Sequence, residues 1–231
     1  MKNKIYCLIC ARKNSKGLKN KNILKFKNTT LAEHTIRQAK NSNYISKVFI
    51  STDSEKIIKL AKKNKIGVPF VRPKNLSGGK VPELKVWKHF CNYLKKTNDI
   101  PDYIIILPIT SPLRSQIDIS KAIKKIKSKK LDVVFSLTES SKNPYFNIVS
   151  ESKGKIKPVI NLKRKISRRQ DAPVCYDITT VLYMLRYNYL MKCTNIYKTN
   201  NMSYILVPKK RSIDIDTKFD YEIVRLISNK N

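Results

Sequence analysis

Apolar runs of strand length alternate along this chain with stretches whose apolar positions recur every three to four residues. That alternation builds an α/β fold, a mostly parallel sheet with helices on both faces. The first strand is expected at Lys4 to Ala11. Leu31, Ala32, Ile36 and Ala39 then mark a helix face, and Val48 to Ile50 a second strand. Ser51, Thr52 and Asp53 offer capping oxygens to a helix carrying Ile57, Ile58, Leu60 and Ala61. Gly67 ends that region, and Val68 to Val71 reads as a short strand confined by Pro69 to an edge or an end. Val86, Trp87, Phe90 and Leu94 space a third helix.

Tyr103 to Leu107 is the most continuously apolar stretch, which predicts a central strand buried on both faces. Ile119, Ala122, Ile123 and Ile126 follow at helical spacing, and Asp132 to Leu137 as a strand. From Glu139 to Cys175 the rhythm breaks into polar and basic pieces holding Pro144, Gly154, Pro158 and Pro173, so 140–175 is expected to be an inserted arm. Strands return at Thr180 to Leu185, Ser203 to Val207 and Ser212 to Asp216. A terminal helix carries Tyr221, Val224, Leu226 and Ile227. No internal repeat is visible.

At 231 residues and 41% hydrophobic content, the chain supports one substantial core rather than two full domains. No apolar run approaches the ~18–20 residues of a membrane span, and the start runs directly into a strand, so a cytoplasmic location without membrane partners is expected. The five cysteines are scattered and odd in number, which predicts reduced thiols. Cys7 and Cys10 form a C-x-x-C, but inside the apolar run of the first strand, so they are read as core residues rather than zinc ligands. The formal net charge of +33 raises nucleic-acid binding as a class. Because lysines are spread over the whole chain, that charge is read as steering anionic substrates rather than as specific nucleic-acid recognition.

Three segments carry candidate chemistry. The loop Ala11 to Asn22 follows the first strand and combines cations, small polar donors and Gly17, a combination suited to phosphate but equally to a solvated basic loop. It fits neither a Walker A loop nor a dinucleotide fingerprint. Leu107 to Arg114 ends the proposed central strand, where Thr110, Ser111 and Arg114 offer donors at a crevice edge, or where Ser111 or Ser115 caps the next helix. In Ser212 to Asp216, strand geometry would put Asp214 and Asp216 on one face and Ile213 and Ile215 on the other. Paired carboxylates suit Mg²⁺ bridging to substrate phosphates; helix capping and a surface lysine are the alternative.

Taken together and in order, these segments resemble the acylneuraminate cytidylyltransferases, the CMP-sialic acid synthetases. The resemblance runs through Ala11-Arg12-Lys13-Asn14-Ser15-Lys16-Gly17-Leu18 with Lys21-Asn22, Ser51-Thr52-Asp53, Val71-Arg72-Pro73, Thr110-Ser111-Pro112-Leu113-Arg114 and Ser212-Ile213-Asp214-Ile215-Asp216-Thr217. It implies a Rossmann-like nucleotidyltransferase sheet whose small extension, here 140–175, mediates a homodimer. It implies that Arg12, Lys16 and Lys21 contact the phosphates of CTP, that Ser15 and Asn22 contact triphosphate or cytosine, and that Arg72 lines the nucleotide pocket. Asp214 and Asp216 are similar to the Mg²⁺ carboxylates of the family, with Asp216 counted among the catalytic residues beside Arg12, Lys16 and Lys21. Thr110, Ser111, Arg114, Arg169 and Gln170 are assigned to the sugar, with Arg169 facing its carboxylate. The implied reaction transfers CMP from CTP to an acidic 2-keto sugar with release of pyrophosphate.

The departures bear on substrate. Pro108-Ile109 replaces Gln-Pro, Ser77-Gly78-Gly79-Lys80 replaces a Ser-Asp-Thr motif, and Tyr176-Asp177-Ile178-Thr179-Thr180 stands where Arg-Pro-Asn-Gly is frequent. They point to a relative of sialic acid such as legionaminic or pseudaminic acid. Activation of the eight-carbon sugar KDO, and a catalytically inactive basic binding module, are the competing readings.

Overall fold

Strand β1 (Ile5–Ala11) is buried along its length because both sets of its alternating side chains face helices. The computed structural model describes residues 3–14, 17–160 and 168–229. After β1 come a two-stranded hairpin, β2 (Lys25–Phe26) and β3 (Thr29–Thr30), then α1 (Leu31–Lys40), β4 (Lys47–Thr52), α2 (Glu55–Lys63), α3 (Glu83–Lys96) and β5 (Tyr103–Ile106). The chain continues through α4 (Gln116–Ser128), β6 (Val133–Glu139), β7 (Val149–Ser152), β8 (Lys155–Pro158), β9 (Tyr176–Arg186), α5 (Tyr187–Lys192), β10 (Met202–Leu206) and α6 (Lys218–Asn229).

The main sheet has the order β10-β6-β9-β5-β1-β4. Strands β4, β1 and β5 run parallel, as do β6 and β10, while β9 is antiparallel to both β5 and β6. The expected mostly parallel sheet is therefore present, and β5 lies inside it with every residue buried. Odd and even positions of β1 feed separate cores. Cys7 and Ile9 join Ile36, Ile57, Ile123 and Val224 on one face, whereas Tyr6 and Leu8 join Trp87, Phe90 and Leu190 on the other. Two cores on opposite faces are the physical reason that the sheet is covered on both sides.

Helix starts follow local chemistry. The Thr30 hydroxyl accepts from Glu33 N at 3.2 Å to begin α1. Ser115 and Asp118 form a reciprocal capping box at α4, so Ser115 rather than Ser111 is the cap. Three expectations change. Ser51 and Thr52 end strand β4 instead of capping α2, which starts after Ser54. Val68 to Val71 makes only isolated bridges, Gly67 with Phe49 and Val71 with Thr52, because Pro69 interrupts any longer ladder. Among the described residues, Ser212 to Asp216 joins no ladder, and Ser212 itself is turned, at φ −89° and ψ 2°; Ile215 N donates to Thr110 O at 2.9 Å instead.

The segment 140–175 holds the β7–β8 hairpin, whose register runs from Val149 opposite Pro158 to Ser152 opposite Lys155. Neither face of this hairpin joins the two cores. All five cysteines are free. Burial pushes the Cys7 thiol far up and that of Cys10 up to about 12, so both stay protonated in the strand. Among the described residues, no helix is long and apolar enough to cross a membrane.

Candidate active site

A cleft of about 310 Å³ opens at the carboxyl ends of β1, β4 and β5, where an open α/β sheet places its ligands. Arg12, Lys21, Asn22, Arg72, Thr110, Asp214 and Asp216 all line it, so residues far apart in sequence meet in one place. The backbone draws them together closely. A Cβ built on Gly17 would lie 2.4 Å from the carbonyl oxygen of Asp216, so only a glycine lets the loop after β1 touch the segment before α6.

Lys21 fixes the same junction from its side chain. It is buried, and its Nζ donates to Ile215 O at 2.6 Å and to Asp216 Oδ1 at 2.9 Å. The Asp216 side chain remains 71% exposed, open toward the cleft. The neighbouring Asp214 differs: its Oδ1 is buried and has no hydrogen-bond partner among the described residues. A desolvated carboxylate oxygen without a donor is costly unless a cation completes it. This supports the reading of the two acids as a metal-binding pair. No group of three or more His, Cys, Asp or Glu side chains capable of holding an ion occurs among the described residues. A Mg²⁺ bound here would draw its remaining ligands from substrate phosphate and water, which suits that ion.

The other walls are equally ordered. Arg72 is buried, its Nε donating to Ser51 Oγ at 3.0 Å and a terminal nitrogen to Ser51 O, so the end of β4 aims the guanidinium. Asn22 Nδ2 donates to Arg12 O at 2.9 Å, and Lys13 N donates to Asp53 Oδ1 at 2.6 Å. Cys10, Leu76, Val81 and Val86 supply an apolar side, while Gly78 and Gly79 leave a flat, uncrowded rim.

Other sequence candidates lie elsewhere. Arg114 does not line the cleft. Its buried guanidinium donates to Val181 O, to Gln38 Oε1 at 3.0 Å and to Pro108 O at 2.6 Å, so it ties β5, β9 and α1 together instead of facing a sugar. The interior supplies unpaired carbonyls at that point, and they take the donors. Burial lowers its pKa to about 10, which leaves it charged at neutral pH. Ser111 is also buried, its hydroxyl 2.7 Å from Thr180 Oγ1. Gln170 sits exposed on the 3-10 turn Arg169–Asp171, away from the cleft lining. Ser15, Lys16 and the side chain of Arg169 lie outside the described residues.

Of the divergent positions, Pro108, Gly78, Gly79 and Thr180 line the cleft, whereas Asp177 does not. Glu83, the first residue of α3, also lines it and escaped the sequence reading. Surrounding protein, then the charge of Asp214, pushes its carboxyl above the usual range against the pull of Arg72 and Arg12. The side chain is still wet, which limits the shift. Its signal was topological: helix starts that follow strand ends face such a cleft.

A cleft at the carboxyl ends of a mostly parallel sheet, walled by cations on one side and a carboxylate pair on the other, is that of a nucleotidyltransferase. The chain belongs to the cytidylyltransferase family, whose model matches residues 6–224. It is 33% identical over 232 residues to the "Post-translational flagellin modification protein B" of Campylobacter coli, covering 98% of this chain and 96% of that protein. It is 32% identical over 229 residues to the CMP-N,N'-diacetyllegionaminic acid synthase of Campylobacter jejuni, with the same coverage of each. A solved structure of CMP:2-keto-3-deoxy-manno-octonic acid synthetase complexed with CTP superposes with a TM-score of 0.72 over 98% of this chain and 99% of that one, at 14% identity. That last likeness is one of fold.

Proposed function

We propose that the protein transfers CMP from CTP to an acidic nine-carbon 2-keto sugar of the sialic, legionaminic or pseudaminic type, releasing pyrophosphate. The observation that carries this reading is the junction of Lys21 with Asp216 at the floor of a cleft that also holds Arg12, Arg72 and Asp214. Family membership and the 32% identity to a CMP-legionaminic acid synthase support the nucleotide and the sugar class.

The anomeric hydroxyl of the sugar gives up its proton to solvent water and its oxygen bonds to the α-phosphorus of CTP, while the bond from that phosphorus to the bridging oxygen breaks and pyrophosphate leaves. Lys21 and Arg12, both lining the cleft, are the groups proposed to hold the triphosphate charge, with Lys16 assigned to the same task. Arg72, aimed by Ser51, lines the nucleotide side with Asn22. Mg²⁺ held by Asp214 and Asp216 would offset charge on the phosphate oxygens. The residues of the chain contribute alignment and preorganised charge rather than covalent chemistry.

A homodimer completes the proposal. Val149, Ile156, Val159 and Val174 in the arm are each more than half exposed, and a two-stranded hairpin is marginal alone in water. A second copy is the occupant proposed for this apolar surface, and would bring Gln170, which does not line its own cleft, toward the sugar together with Arg169. Ile156→Asp should shift the protein toward monomer in sedimentation; an unchanged mass would exclude the hairpin as the contact.

The test of function is a pyrophosphate-release assay with CTP, Mg²⁺ and a panel of acidic sugars. Turnover with a nonulosonic acid and not with KDO supports the proposal. Turnover with KDO alone transfers the chain to the eight-carbon class, and none with any acidic sugar refutes the activity.

A further inference from the structure

Among the described residues, the segment that carries Asp214 and Asp216 joins no strand ladder, so contacts outside a ladder set where those carboxylates stand, the Lys21 bond to Asp216 Oδ1 among them. At its tail, Asp220 Oδ2 accepts from Asp216 N at 3.1 Å and Thr217 N at 2.7 Å. In the middle, Ile215 N bonds to Thr110 O, and Lys21 Nζ to Ile215 O. At its head is Arg211, which closes the 3-10 turn Lys209–Arg211.

Arg211 reaches a carboxylate that the described function does not use. Asp118, in the first turn of α4, is only 1% exposed. Its Oδ1 accepts from Arg211 Nη2 at 2.7 Å, and its Oδ2 from Arg211 Nε at 3.3 Å, from Ser115 N at 2.9 Å and from Ser115 Oγ at 2.9 Å. The contact is two-pointed, which fixes direction as well as distance. Through Ser115, the same carboxylate is joined to the turn that follows Thr110 and Arg114.

We propose that the Arg211–Asp118 ion pair is a positioning device that locks the head of the 212–216 segment against the start of α4 and so presets the Asp214 and Asp216 carboxylates for a divalent cation. The proposal rests on the metal role assigned above. Only Ser212 and Ile213 stand between Arg211 and Asp214, at most about 11 Å of chain, too short to absorb movement at the head. The buried, partnerless Oδ1 of Asp214 gives the lock its purpose. A slack segment would let that oxygen turn to water, and the preset geometry that favours the cation would be lost. Residues that orient a metal ligand in this way are worth about 10- to 100-fold in metal affinity.

The test measures Mn²⁺ binding to the protein with CTP by the loss of the free-ion electron paramagnetic resonance signal. Arg211→Met and Asp118→Asn should each bind Mn²⁺ about 10-fold more weakly than the natural sequence. The double variant should be no weaker than either single one, since one lock is broken once. Arg211→Lys should recover part of the affinity, and the Mg²⁺ concentration for half-maximal turnover should rise in parallel while KM for the sugar stays within about twofold.

Unchanged Mn²⁺ affinity in folded Arg211→Met, or losses that add in the double variant, would overturn the proposal. If Arg211→Met fails to fold, Arg211→Lys decides alone, with weakened binding for the lock and unchanged binding against it. Absence of CTP-dependent Mn²⁺ binding in the unsubstituted protein would defeat the metal assignment itself, and the lock with it.

Discussion

Gly17 and Asp216, 199 positions apart in the numbering, are in backbone contact: the space for a Gly17 side chain is already filled by the Asp216 carbonyl, 2.4 Å from where a Cβ would sit. The cationic loop and the acidic segment thus share one floor, and the chemistry of the cleft depends on that apposition.

Gly17→Ala should therefore damage activity more than stability. The obstructing atom is backbone and cannot rotate aside, so the loop or the carboxylate segment must move by several tenths of an ångström. Displacements approaching 1 Å at a reacting geometry reduce rates by up to ~100-fold. The expected result is a fall of at least ~10-fold in kcat/KM for CTP with a small change in Tm; full activity would show that the apposition is dispensable.

Arg114→Met tests the reassignment of that arginine from sugar contact to internal tie. Loss of the guanidinium strands buried carbonyls at Val181 and Pro108, at ~1–3 kcal/mol for an unsatisfied group. Tm should fall by roughly 5–10 °C, given ~2–4 °C per kcal/mol for a domain of this size. A sugar-reading arginine would behave oppositely, raising KM for the sugar many-fold at unchanged Tm.

Asp99 gives a pH-dependent prediction far from the cleft. Its carboxylate accepts from Lys4 at 2.6 Å, Lys47 at 2.8 Å and the Tyr6 hydroxyl at 2.5 Å. These bonds, Lys4 first, hold it well below the usual carboxylate range. Because the folded value is depressed, the stabilisation is present above the unfolded value near ~3.9 and is lost as pH falls through the folded one. Asp99→Asn should lower Tm at pH 7 only slightly, since solvent screens these half-exposed lysines. The gap from the unsubstituted protein should persist at pH 5 and close only below pH ~4. A gap that closes between pH 7 and 5 would assign it to another group.

The fold was legible where one physical rule dominated. The apolar run of β5 could only be a strand buried on both faces, and the spacing of Leu31, Ile36 and Ala39 could only put α1 against a core. Parity also survived a wrong element: Asp214 and Asp216 line the cleft while Ile213 and Ile215 pack on the core, although their segment joins no ladder among the described residues. Other features depended on tertiary partners that sequence does not display. Arg114 looked like a ligand donor because it ends a central strand, yet nearby carbonyls pulled it inward. The β2–β3 hairpin and α5 were too short for periodicity to reveal. Glu83 became visible only when the start of α3 was seen to face the strand ends.

The central claim, that the basic loop and the paired acids grip one metal-bound triphosphate for transfer to an acidic sugar, is tested most directly by CMP-sugar formation in the Asp216→Ala variant. Asp216 is 71% exposed, so its removal should leave the fold intact by circular dichroism. CMP-nonulosonate should form from CTP, the acidic sugar and Mg²⁺ with the unsubstituted protein and fall by ~100- to 1000-fold, the scale of a lost charge-stabilising group, in the variant. A folded Asp216→Ala protein that forms the product at an undiminished rate would contradict the account.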